Sequence, residues 1–140
     1  MNKYLKILLT AWELPQTFLA GVIIFFFRRK ITGRGIYKNV NIIYIKDFRG
    51  GISLGRYIIL NDKYSGNELS IKHEYGHSIQ SSYFGWFYLL VIGLPSIIRV
   101  IVWRIRRLKS LDYYMGYPEN WANKLGFSKE EYLKVLERLK

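Results

Sequence analysis

The chain has no cysteine. That removes disulfides, Cys-ligated zinc and thiol catalysis together. It has only two histidines and ten acidic residues. A three-imidazole metal site is therefore excluded, and any zinc site must add a carboxylate. No internal repeat or low-complexity linker divides the 140 residues, a length that fits a single domain, 1–140. It is too short for a many-helix membrane enzyme. Apolar residues make up 50% of the chain and aromatics 17%, which excludes intrinsic disorder.

What is present is high apolarity joined to a net charge of +12. Such charge suits nucleic acid or an anionic membrane surface, and the apolar excess favours the membrane. The basic residues gather at the ends of apolar segments, at Arg28 to Lys30 and Arg104 to Lys109, not along one polar helix face. Nucleic acid is therefore not expected as a partner, and anionic membrane lipids are.

Two segments, 1–30 and 86–109, read as membrane-interacting. Ile7 to Phe27 carries one charge, Glu13, followed by Pro15. A helix of that length would be about 31 Å, barely a span. It runs straight into Arg28, Arg29 and Lys30 without a small-residue cleavage site, so it is not read as a secretory signal. Between the two segments, Val40 to Ile45 and Ile52 to Leu60 read as strands of a small antiparallel sheet, with Gly55 as a bulge or close approach. Ser65 to Asn67 can start a helix that Gly85 stops. Ser128 with Glu131 forms a capping box for a last helix. The predicted fold class is α+β.

The chemistry centres on His73-Glu74-Tyr75-Gly76-His77. Residues four apart share one helix face, so both imidazoles can bind one Zn2+ while Glu74 acts as general base. Chance placement of both histidines and the glutamate is roughly 7 in 10,000. The third ligand must be a carboxylate. Asp112, Glu119, Glu130, Glu131 and Glu137 are the downstream candidates, the last three on the solvated final helix. Glu119 is preferred because it opens a predicted helix just after Pro118; Asp112 is the runner-up. Tyr113, Tyr114 and Tyr117 are candidate donors to a developing oxyanion.

These motifs resemble the gluzincin metallopeptidases. The closer resemblance is to small bacterial membrane-associated proteins of that type, carried by Trp12 to Gln16, Gly50 to Gly55, His73 to Gln80, Gly93 to Ser96 and Glu119 to Gly126. The resemblance implies a zincin-like active-site helix and a second ligand helix. It also implies zinc on His73, His77 and Glu119, with Glu74 catalytic and residue 123 orienting a first-helix histidine. Asn123 stands where that pattern has Asp, and an amide raises ligand basicity less than a carboxylate.

A shared metal constrains topology. His77 and Glu119 must meet at one ion, so Trp86 to Trp103 cannot cross a bilayer once. Gly93 and Pro95 are expected to break that segment into a re-entrant hairpin, each half about 13 Å long. The Glu13-Leu14-Pro15 break allows the first segment to do the same, with a single tilted span as its alternative. The expected protein is a monotopic zinc metallopeptidase whose active site lies at the cytoplasmic face and hydrolyses a peptide or protein substrate. The rival reading is a non-enzymatic membrane-binding protein with structural zinc.

Overall fold

The computed structural model describes residues 3–139, so residues 1, 2 and 140 of the chain lie outside the described residues. It is an α+β fold built around a four-stranded mixed sheet. The strands are β1 (Ile31–Tyr37), β2 (Val40–Ile45), β3 (Gly51–Leu54) and β4 (Tyr57–Asn61), in the order β1-β2-β4-β3. The two outer pairings are antiparallel, but β2 and β4 run parallel, Ile42 beside Ile58 and Ile43 beside Ile59. The expected all-antiparallel sheet is thus corrected. The expected strand Ile52 to Leu60 is divided at Gly55, whose positive φ of 62° lets the chain turn from β3 into β4. The two central strands have both faces covered over Ile42 to Ile45 and Ile58 to Leu60, which is why these stretches read as apolar runs without alternation.

Val40, Ile42, Ile58 and Leu60 form the core on one face, against Ile71 and Tyr75 of α3 (Glu68–Phe84). Ile43, Ile45 and Ile59 form the other, against Ile23 and Ile24 of α2 (Leu14–Phe26). The sheet is a middle layer between these two helices.

The apolar N-terminal segment is divided at Glu13 into α1 (Lys3–Trp12) and α2. No helix among the described residues is long and apolar enough to cross a membrane. Ile7 to Phe27 is thus shared between two helices, neither of which alone reaches the length of a span. The division serves a docking contact. Glu13 and Gln16 are buried against the end of α3: Ser81 Oγ donates to Glu13 Oε1 at 2.7 Å, and Gln16 Nε2 donates to Gly85 O at 2.9 Å. Indole N–H groups flank them, Trp12 donating to Ser82 O and Trp86 to Ala11 O.

Beyond α3 the chain makes a 3-10 turn (Gly85–Phe87) and a π turn (Leu89–Gly93), then enters α4 (Leu94–Arg106). Gly93 keeps right-handed helical angles, so the π turn runs straight into α4, and Val91 O, four residues before Pro95, accepts instead from the Tyr117 hydroxyl. The hairpin bend expected at Gly93 and Pro95 is therefore not made there. The chain reverses later, after Arg107 in the left-handed conformation, and returns through α5 (Ser110–Met115). Arg99 clamps the return by donating to the carbonyls of Asp112 and Tyr113, and Tyr117 Oη donates to Val91 O at 2.6 Å.

The return leads to α6 (Glu119–Gly126) and α7 (Lys129–Leu139). At α7 the capping box forms in both directions between Ser128 and Glu131. Glu131 also pairs with Lys72 of α3 at 2.5 Å.

Candidate metal centre

Helix α3 begins where Asn67 Oδ1 accepts the Ser70 N–H, at 3.1 Å, satisfying one orphan donor of its first turn. It ends at Gly85, in a left-handed conformation that a side chain would strain. Between these caps His73 and His77 share a face, with ring centroids 4.9 Å apart. Glu74, one residue on, is buried beside the edge strand β3. A Cβ on Gly51 would lie 2.5 Å from Glu74 Oε1, so a side chain there would push the carboxylate aside.

Helix α6 brings the third group. It packs on α3 at backbone distance: a Cβ on Gly76 would lie 1.9 Å from Ala122 O, and one on Gly126 would lie 1.9 Å from Lys72 O. This contact carries Glu119, at the start of α6, to both histidines. Glu119 Oε2 lies 3.0 Å from His73 Nε2 and 3.1 Å from His77 Nε2. The three donor atoms are within 4.8 Å of one another, the geometry of a metal-binding triad.

The far side of each ring is held by an amide. Asn123 Oδ1 lies 2.7 Å from His73 Nδ1, and Gln80 Oε1 lies 2.8 Å from His77 Nδ1. Amide oxygens only accept, so each Nδ1 carries the hydrogen. In the neutral rings both Nε2 lone pairs then point at one carboxylate oxygen. Three acceptors facing one another repel unless protons or a cation lie between them. Two imidazoles and a carboxylate fit zinc well.

The electrostatics show the same demand. Burial opposes charge on His73, yet the hydrogen bond to Glu119 and the nearby Glu74 carboxylate raise its pKa to about 9. Burial would raise Glu119, but hydrogen bonds from both histidines outweigh it and hold the carboxyl well below the usual range. Glu74 is raised, chiefly by burial.

Sequence reading named Asn123 but overlooked Gln80 and Ser96. Gln80 also donates to Pro118 O at 3.2 Å, tying His77 to the base of α6. Its spacing, three residues after a histidine on one helix, was the available signal. Ser96 of α4 donates to Glu119 Oε1 at 2.5 Å, a contact no sequence spacing announces.

Of the three tyrosines, Tyr113 lines the cavity beside Glu74 and Glu119, and burial raises its pKa so that it stays a donor. Tyr114 packs edge-on against His73, with centroids 5.4 Å apart. Tyr117 is committed to Val91 O, away from the cluster. Asp112, Glu130 and Glu137 are exposed and outside the triad, and Glu131, half-buried against Lys72, is outside it too.

In comparisons with known proteins, no family model, curated protein or solved structure matches this chain, so its functional reading rests on the geometry of the centre itself.

Proposed function

We propose that the protein is a membrane-surface zinc peptidase of gluzincin type, with His73, His77 and Glu119 as metal ligands and Glu74 as general base. The observation that carries this reading is the convergence of both Nε2 atoms on Glu119 Oε2, with the buried Glu74 beside them. Zinc held there would polarise a carbonyl and ease deprotonation of water.

The chain's own groups supply the rest. Glu74 takes a proton from the attacking water as its oxygen bonds to the carbonyl carbon. It delivers that proton to the amine nitrogen as the C–N bond breaks. Tyr113 is placed to donate to the developing oxyanion. The edge strand β3 offers backbone groups to an extended substrate near Gly51. Its far end is less available, because Ser53 O already accepts from Tyr88 Oη at 2.9 Å.

The membrane part of the reading is supported by exposed apolar side chains. Phe18, Phe25 and Phe26 of α2 and Ile97, Ile101 and Ile105 of α4 all face outward. Contiguous exposed apolar surface marks an interaction site, and basic groups follow both helices, as anionic headgroups require. These helices dock at the cytoplasmic face without separating the ligands.

Elemental analysis of wild type, E119A and E74Q, together with hydrolysis of a fluorogenic peptide library, tests the proposal. Wild type should carry stoichiometric zinc and hydrolyse peptides. E119A should lose the zinc, and E74Q should keep it and lose hydrolysis. Zinc retained by E119A overturns the ligand set. Full hydrolysis by E74Q overturns the catalytic role. Equal recovery on anionic and neutral vesicles removes the lipid preference.

A further inference from the structure

The metal centre lies between two cavities, each of about 650 Å³. The cavities share one wall, made by Gly51, His73, Glu74, Val100, Arg104 and Tyr113. Space therefore continues on both sides of Glu74. A site that removed one terminal residue would be closed just beyond the reacting bond; this one is open to chain in both directions.

The two ends differ in chemistry. One cavity is lined by Leu19, Leu90, Leu94, Ile97 and Ile101. These same side chains are exposed on the outer face of α2 and the π turn with α4, so the cavity opens onto the apolar surface. Apart from the shared wall and the ligands, it holds no charged group among the described residues. The other cavity adds Arg49 to the shared Arg104, and sets Tyr64, Ser70 and Ser110 among the apolar walls of Leu69, Trp103 and Phe127. Among the described residues its only carboxylate is Glu74. That end is cationic and suits an acidic segment.

We infer that the cleft takes a membrane-anchored polypeptide at the junction between its apolar segment and an acidic extension, cutting the chain internally there. The inference rests on the proposed peptidase reading and specifies its substrate class. Apolar side chains enter from lipid through the gap between α2 and α4. The acidic residues lie toward Arg49 and Arg104, and the junction passes over Glu74.

The test uses zinc-loaded full-length protein on phosphatidylglycerol–phosphatidylcholine vesicles. One synthetic peptide joins a Leu/Ala anchor directly to an Asp/Ser tail. A second carries a Lys/Ser tail. A third holds the acidic tail on a lipid through a long Gly/Ser linker, giving the same surface concentration without an apolar neighbour. Mass spectrometry locates the cuts, and fluorescence anisotropy measures binding of each labelled peptide to E74Q. The expected result is cleavage at the junction of the first peptide, at least tenfold faster than of the other two, with the same order in binding. R49E should shift the tail preference toward lysine. Equal cleavage of the first and third peptides, or cuts confined to the tail, overturns the inference while leaving the peptidase reading standing. Ordered binding to E74Q without any hydrolysis by wild type overturns the internal cut together with the peptidase reading, and leaves the cleft as a site that only holds such a junction. Neither binding nor hydrolysis overturns both.

Discussion

Asn123 Oδ1 lies 2.7 Å from His73 Nδ1, and this contact decides which ring nitrogen faces Glu119. The amide does so one helical turn beyond Glu119, so α6 supplies both a ligand and the group that orients its partner. The arrangement leaves Asn123 Nδ2 buried without a hydrogen-bond partner. An aspartate would remove that orphan donor and raise the basicity of His73. N123D should therefore bind zinc more tightly than wild type, and N123A about 10–100-fold more weakly. Competition with a chromogenic chelator measures both. Equal affinities across the three proteins would show that Asn123 does not tune the centre.

Gly76 fixes the distance between the two ligand helices. A methyl group there would meet Ala122 O at 1.9 Å, and that oxygen belongs to backbone that cannot swing aside. G76A should push α6 away from α3 and carry Glu119 off both histidines. Overpacking of this kind costs roughly 1–3 kcal/mol. The variant should melt earlier and lose stoichiometric zinc. A G76A protein with wild-type zinc content would mean that the helices can separate without moving Glu119.

Helix α3 was legible because its signals are local. Asn67 caps it, Gly85 stops it, and the histidine spacing needs only helical periodicity. The last helix was legible for the same reason, through Ser128 and Glu131. The sheet was not. Its central pairing, β2 with β4, is parallel and joins residues that no turn brings together, and the short Gly55 turn was hidden inside an apolar run. β1 escaped notice because Gly33 and Gly35 break its apolar alternation. The return path after α4 is set by Arg99 reaching the Asp112 and Tyr113 carbonyls, a contact made only once the chain has folded.

Glu13 should make stability depend on mild acidity. Burial raises its pKa, although the Ser81 hydrogen bond and the Arg56 charge oppose the shift. The native state therefore holds this proton more tightly than the unfolded chain. That contribution is complete below about 4.5, the ordinary value, and is lost as pH rises through the native one. E13Q keeps an oxygen acceptor for Ser81 and removes the buried charge. Its melting temperature at pH 8 should equal or exceed that of wild type, with a flatter profile down to pH 5. Glu131 acts in a separate window. Its hydrogen bond with Lys72 lowers its pKa to about 2, so its contribution fades only as pH falls below about 4.5. A strongly destabilised E13Q at pH 8 would show that Glu13 docks α1 and α2 as a carboxylate.

Ser96 joins the apolar helix α4 to the metal centre. Its hydroxyl donates to Glu119 Oε1, leaving Oε2 to face the histidines. Hydrogen bonds to charged groups contribute roughly 1.5–3 kcal/mol, and S96A removes this one without adding bulk. Glu119 would then rotate more freely, and zinc affinity should fall about tenfold. The contact also predicts communication in the other direction. Zinc binding draws Glu119 into one orientation, which fixes its Ser96 partner and steadies the start of α4. Hydrogen exchange should therefore show slower exchange in Ile97 to Ile101 on adding zinc to wild type, and a smaller change in S96A. Folding stability alone cannot produce that pattern, because a general loosening would speed exchange with and without the metal. Identical zinc-dependent protection in both proteins would mean that α4 is steadied by its clamp to α5 through Arg99, and not by the ligand.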